Sequence, residues 1–300
     1  MLEIKLIVCP IDFSEFSIRA YRYALSVAEH YRARLVALNI VEMSRYPYAD
    51  YAASAGDYAE FCRTLREGGD EQLREFVKKH THRGIQRELV VREGAAPDCI
   101  LTFVQTHKAD LIVMGTHGRR GYDRLVLGSV TNRVIRRTPC PVLAVCNPPR
   151  ELAAADTAAN QEQEHHHHLS RILFCTDFSD DSERALRWAI SATDEYNAEL
   201  TLLHVLEDVP GAAIVEAATA TATKQLDKLI PQEARETLKI KTAVRVGKPY
   251  QQIIQLAVEA QIDMVAMGVR GRGALDLAVF GSTTYRVLQL GPCPVLAVHI

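Results

Sequence analysis

Short apolar runs alternate along the chain with segments whose apolar positions recur at helical spacing, and this alternation happens twice. Glu3-Ile-Lys-Leu-Ile-Val-Cys9 has no helical period and reads as a strand. After the cap-type residues Asp12 and Ser14, apolar positions at Ile18, Tyr21, Leu25 and Ala28 predict a helix with one buried face. A second strand follows at Arg34–Val41. Residues 43–60, rich in Tyr, Ala, Ser and Asp, show no period and read as a loop or helix extension. A helix over about 60–80 puts Leu65, Leu73, Phe76 and Val77 inward. A third strand spans Ile85–Arg92 and ends at Gly94, and Pro97 opens a helix that runs to His107. Leu111–Met114 is a fourth strand, Ser129–Arg137 a helix and Val142–Cys146 a fifth strand.

The pattern breaks over 148–169, where Pro148-Pro149, polar residues and His165–His168 read as a flexible linker. It then restarts with a strand at Arg171–Cys175, a helix carrying Leu186, Ala189 and Ile190, with Trp188 also expected in the core, and a strand at Glu199–Val205. A helix near 212–229, a strand at Lys239–Val246 ended by Gly247, and a helix opened by Pro249 complete the series. Strands and helices in this alternation predict a parallel α/β sheet, and near-continuous apolar strands fit burial on both faces. The expected domains are residues 1–147 and 170–300. Each is a doubly wound five-stranded parallel sheet, for which the order 3-2-1-4-5 is expected.

The second half repeats the first at one conspicuous stretch. Asp110-Leu-Ile-Val-Met-Gly115-Thr-His-Gly118 is followed after nine residues by Gly128-Ser129. Asp263-Met-Val-Ala-Met-Gly268-Val-Arg-Gly271 is followed after nine by Gly281-Ser282. Each copy leads into Pro-Cys-Pro-Val-Leu-Ala-Val, at 139–145 and 292–298. Asp12 and Asp177 lie 165 positions apart but Gly115 and Gly268 only 153, so the second half is shorter, and the loss falls in the 43–60 region. Units this long are whole domains and not a solenoid.

Composition narrows the function. With 300 residues, 48% hydrophobic and 24% charged, the chain is that of a soluble globular protein. A net charge of −2 leaves no electrostatic footprint for nucleic acid. No apolar run is long enough to span a bilayer, and the N-terminus lacks the pattern of a secretory signal. Seven cysteines without a CxxC pair fit reduced thiols in a cytoplasmic protein. Cys140 and Cys293, each between two prolines, read as small buried hydrophobes. His165–His168 reads as a solvated or appended tract, since four consecutive histidines cannot converge on one ion. His204 and His299, on strand ends, read as structural.

In an open parallel sheet, ligands bind beyond the carboxyl ends of the strands where the order reverses, here between strands one and four. Asp12 would then face Gly115, and Asp177 would face Gly268. A glycine turn lets backbone N–H groups approach an anion, and a helix N-terminus at Gly128-Ser129 adds its own N–H groups and dipole. Asp12 suits ribose hydroxyls or a metal-bridged phosphate. Arg119, Arg120 and Arg124, with Arg270 and Arg272 in the second half, read equally well as phosphate partners or as solvated loop charges. The pattern is neither a Walker A loop nor a dinucleotide fingerprint.

These motifs, Pro10-Ile-Asp12-Phe-Ser, Gly-x-x-Gly-(nine)-Gly-Ser and Pro-Cys-Pro-Val-Leu-Ala-Val, resemble those of the universal stress protein family in its tandem form. The resemblance implies an adenine-nucleotide alpha-hydrolase-like fold that binds ATP, ADP or AMP, with Mg²⁺ where a metal-bridged phosphate is held, and association through the last strand. It places Ile11, Asp12, Ile40, Met114 and Gly115 near adenine and ribose, with His117, Gly118, Gly128, Ser129, Val130 and Thr131 around the phosphates. In the second half it points to Thr176, Asp177, Val205, Met267, Gly268, Arg270, Gly271, Gly281, Ser282 and Thr283. There Arg270 replaces His117 and Tyr285 replaces Asn132, so the first site is expected to be the tighter. The two last strands could pair as an internal pseudo-dimer, and a homodimer is also compatible. Three functions follow as alternatives: a nucleotide-dependent stress-response binding protein, a slow ATPase or phosphotransferase, or an interaction module with vestigial sites.

Overall fold

The structure is a computed structural model that describes residues 3–42, 55–81, 85–118, 126–146, 169–207, 209–270 and 281–299. The tyrosine-rich stretch from 43 to 54, the linker with its histidines, Arg119, Arg120, Arg124, Gly271 and Arg272 lie outside those residues. The chain divides into two compact units, one centred on Glu3–Tyr122 with Gly128–Cys140 and the other on Pro141–Ile300.

The amino-terminal unit runs β1 (Leu6–Ile11), α1 (Glu15–Tyr31), β2 (Arg34–Val41), α2 (Ala55–His80), β3 (Arg87–Glu93), α3 (Ala96–His107), β4 (Leu111–Gly115) and α4 (Ser129–Arg137). Its strands are parallel in the order β3-β2-β1-β4. The carboxy-terminal unit contains β5 (Val142–Val145), β6 (Arg171–Cys175), α5 (Asp180–Tyr196), β7 (Glu199–Leu206), α6 (Ala212–Leu229) and α7 (Gln232–Thr237). It continues with β8 (Lys239–Val246), α8 (Pro249–Glu259), β9 (Met264–Gly268), α9 (Ser282–Leu290) and β10 (Val295–Val298). Its sheet order is β5-β10-β9-β6-β7-β8, so the second half has the expected 3-2-1-4-5 order. β5, the first half's last strand, pairs antiparallel with β10, Leu296 lying opposite Leu143.

Two aspartates fix the sheet where the repeat begins. Asp110 Oδ2 accepts the backbone N–H groups of Lys5 and Leu6 at 2.8 and 2.9 Å. Asp263 Oδ2 does the same for Ser170 and Arg171, both at 2.8 Å. Each carboxylate therefore ties the start of the fourth strand of its half to the start of the first and sets their register.

Several elements differ from the sequence expectation. The buried face of α1 is Ser17, Ala20, Tyr21, Ala24 and Ala28, while Ile18 and Leu25 are only half-buried. Apart from Tyr21 that face is small, and α1 lies hard against the end of β4. A Cβ on Gly115 would stand 2.7 Å from that of Phe16. Trp188, expected in the core, is half-buried on α5, while Leu186 and Ala189 are buried as expected beside Ser182 and Ala185. On α2, Leu73, Phe76 and Val77 are buried as expected and Leu65 is half-buried. The short helix α7 had no counterpart in the sequence reading. Among the described residues no helix is long and apolar enough to cross a membrane.

Candidate functional site

In both halves the turn after the first strand is Asp-Phe-Ser with the phenylalanine in the left-handed region, φ 65° at Phe13 and 61° at Phe178. That conformation costs a residue with a Cβ about 1–2 kcal/mol. The aspartate holds it: Asp12 Oδ1 accepts the Ser14 N–H at 3.0 Å and the Ser14 hydroxyl at 2.6 Å. Asp177 Oδ1 does the same for Ser179 at 3.2 and 2.6 Å. One carboxylate oxygen thus fixes the turn. In the first half the other, Oδ2, lies where Gly118 comes close, 2.8 Å from the position a Cβ would take. Asp12 and the glycine turn do face each other across the seam between β1 and β4.

The start of α4 closes back onto that turn. Gly128 N–H donates to the Thr116 carbonyl at 2.9 Å, and a Cβ on Gly128 would approach this oxygen to 3.0 Å. Thr131, buried, donates its hydroxyl to the Gly115 carbonyl at 2.8 Å. In the second half Gly281 N–H donates to Val269 O at 3.2 Å, and Thr284 donates to Gly268 O at 2.9 Å. The residue matching Thr131 is therefore Thr284. Thr283, picked from the sequence, matches Val130 instead, and both are half-buried. Neither helix has a side-chain cap at its N-terminus. Ser129 and Ser282 are exposed there. First-turn N–H groups have no partner within their own helix, so this end suits an anion.

Ile11, Met114, Met267 and Thr176 are buried, and Ile40 and Val205 half-buried. The Thr176 hydroxyl is engaged within the protein, accepting the Phe178 N–H at 2.8 Å and donating to Ser182 at 2.8 Å. His117 is turned inward, 8% exposed, with Nδ1 at 2.9 Å from the Thr116 hydroxyl and its ring 5.0 Å from that of Phe16. The imidazole is thus part of the packing beneath the turn. Arg270 differs again. Its guanidinium Nη2 donates to His299 Nε2 at 2.6 Å, and its backbone N–H donates to Asp181 Oδ2 at 3.2 Å.

Asn39, missed in the sequence, and His204 perform one task. Asn39 Nδ2 donates to the Ile11 carbonyl at 2.8 Å, and His204 Nδ1 donates to the Thr176 carbonyl at 2.8 Å. Each holds the peptide just before the site aspartate from the second strand of its half. His204 is structural, as expected, and its ring packs 4.5 Å from Phe178. Burial pushes the Cys9 and Cys175 thiols well above the usual range and Cys140 up to about 11. These thiols stay protonated and pack as apolar side chains.

Fold and site together define a tandem doubly wound α/β protein with a glycine-turn cradle at each seam between first and fourth strands. Comparison with known proteins agrees. The model of the universal stress protein family matches residues 3–145 and again 168–299. A universal stress protein of Methanocaldococcus jannaschii is 37% identical over 147 residues, covering 49% of this chain and 85% of that protein. The crystal structure of a universal stress protein from Archaeoglobus fulgidus is similar in fold with a TM-score of 0.69 at 21% identity, covering 99% of both chains. One from Pseudomonas aeruginosa has a TM-score of 0.60 at 16% identity, covering 98% of this chain and 93% of that one. The chain belongs to the universal stress protein family, with two family domains in tandem.

Proposed function

We propose that the protein binds adenine nucleotides, ATP foremost with ADP and AMP as alternatives, and that occupancy alters its conformation or partner contacts in a stress response. One observation carries this reading: the glycine turn that meets Asp12 is backed by the uncapped N-terminus of α4. Gly118 approaches the carboxylate so closely that a side chain there would displace it. In this reading Asp12 and Asp177 accept ribose hydroxyls, while Gly118, Ser129 and Val130 offer backbone N–H groups to phosphates, and Gly128, its own N–H bonded to Thr116, lets the helix start come close. Gly271, Ser282 and Thr283 take the same part in the second half, with Gly281 in the place of Gly128. The buried methionines and half-buried Ile40 and Val205 give adenine an apolar surface. Among the described residues no three His, Cys, Asp or Glu cluster as a metal cage. Any Mg²⁺ would therefore arrive with the phosphates, with Asp12 as its protein contact.

The domain limits 1–147 and 170–300, joined by the linker 148–169, belong to the same proposal. So do an internal pseudo-dimer through the last strands, supported by the pairing of β5 with β10, and a cytoplasmic location. Thermal shift tests the function. Nucleotide at about 100 times its Kd stabilises by roughly 2.7 kcal/mol, or about 5–10 °C for a domain of this size. Absence of any shift with millimolar ATP, ADP and AMP refutes the proposal. Gly128→Val should remove the first half's share. Steady conversion of ATP to ADP that Asp12→Ala abolishes would make the protein an ATPase instead.

A further inference from the structure

We propose that Asp181 makes the second cradle select against polyphosphates, so that this half takes adenosine-like ligands of low charge while ATP binds in the first. The inference rests on the nucleotide reading above and assigns each half its ligand class.

Asp181 is the second residue of α5 and is 4% exposed. Its backbone is wedged beneath the turn, for a Cβ on Gly268 would lie 2.8 Å from the Asp181 carbonyl carbon and from Ser182 N. From there its Oδ2 accepts the backbone N–H of Arg270, the third residue of the Gly268-Val-Arg-Gly271 turn. A carboxylate of the protein thus already occupies a donor of the element that would meet a ligand's phosphates. The Arg270 guanidinium is engaged elsewhere, donating to His299.

The first half has Phe16 at the matching position, with no charge and no side-chain acceptor, packed against the His117 ring. Between the halves, Phe16 with His117 becomes Asp181 with Arg270. The two positions touch in both cases, ring to ring in the first half and backbone N–H to carboxylate in the second. The electrostatic result is unequal. A buried carboxylate under the cradle repels an incoming phosphate chain, more strongly the more charge it carries, and low local dielectric amplifies the effect. Adenosine carries no such charge and is unaffected.

Equilibrium dialysis of the full chain with labelled ATP and with labelled adenosine tests this, using Gly128→Val to silence the first half. The expected result is adenosine bound in the second half with ATP at least about tenfold weaker. Asp181→Asn keeps an acceptor for the Arg270 N–H and should tighten ATP about tenfold while adenosine stays within about twofold. Equal ATP affinity of the two halves overturns the inference. So does a parallel change for ATP and adenosine in Asp181→Asn, or a second half that takes neither ligand while the first takes ATP. Absence of both ligands from both halves overturns the nucleotide reading itself.

Discussion

In the first half β1 and β4 are in register at Ile7–Leu111 and Val8–Ile112. In the second, the equivalent β6 and β9 are in register at four positions, from Ile172–Met264 to Cys175–Met267. The residue that differs is Pro10, which stands where the second half has Cys175. Thr176 N–H donates to Leu203 on β7, so by strand alternation the Cys175 N–H faces β9. Proline has no such donor, and the first-half ladder stops short of it. The first seam therefore has the shorter hydrogen-bonded ladder. With Phe16 in place of Asp181, the first half also has the less acidic cradle. Two copies of one motif have kept the glycines and the aspartate and diverged in what lies beneath and beside them.

The largest effect should come from exchanging that residue. Cys175→Pro removes a ladder donor in a buried strand and should cost the second half about 2–3 kcal/mol. Pro10→Cys should cost the first half less than about 1 kcal/mol. Chemical denaturation of the two variants would show the difference, and equal losses would break the contrast. Next come the glycines that the first helix of each half packs against. Gly268→Ala forces two backbone atoms apart and should lose about 2 kcal/mol. Gly115→Ala meets the Phe16 Cβ, which moves only with its backbone, and should lose a similar amount, read as an equal fall in melting temperature.

A smaller effect separates the residues that hold the peptide before each aspartate. Asn39 is 5% exposed, and Asn39→Ala leaves a buried carbonyl without its donor, at about 1–2 kcal/mol. His204 is half-buried, water can replace it, and His204→Ala should cost under about 1 kcal/mol. Last, alkylation at pH 8 should reach Cys62 and Cys99, which are partly exposed, well before Cys140 and Cys293. Burial raises the thiol pKa values of those two, so the reactive thiolate is scarce until the pH climbs toward them. Mass spectrometry of labelled peptides would show equal rates if this is wrong.

The elements and the repeat were legible in the sequence because the strands are apolar on both faces and helices begin at Asp-x-Ser or proline. The meeting of Asp12 with the Gly115–Gly118 turn was legible too, since it follows from strand order alone. Missed were features in which one task is done by unlike residues. Asn39 and His204 share no chemistry beyond one N–H donor, and Phe16 and Asp181 share none at all. Laying the 165-residue offset over α1 and α5 would have paired them. Asp110 and Asp263 were in view as the first residues of the repeat, but their role depends on strand neighbours 92 to 105 positions away. On α1 the expected Tyr21 and Ala28 are buried, whereas Ile18 and Leu25 give way to Ser17, Ala20 and Ala24.

The aspartate clamps have a consequence for how each half assembles. The strands that flank the site, β1 with β4 and β6 with β9, are central in the sheet yet are joined by roughly a hundred intervening residues. Contacts of that span form late, because a long loop must close before they are made. β1 with β2 and β2 with β3, like β6 with β7 and β7 with β8, can pair beforehand. The cradle is thus among the last parts of each half to exist, and a chain still emerging from the ribosome has none until its fourth strand docks. Nucleotide, if it binds as proposed, would recognise only a half whose sheet is already complete.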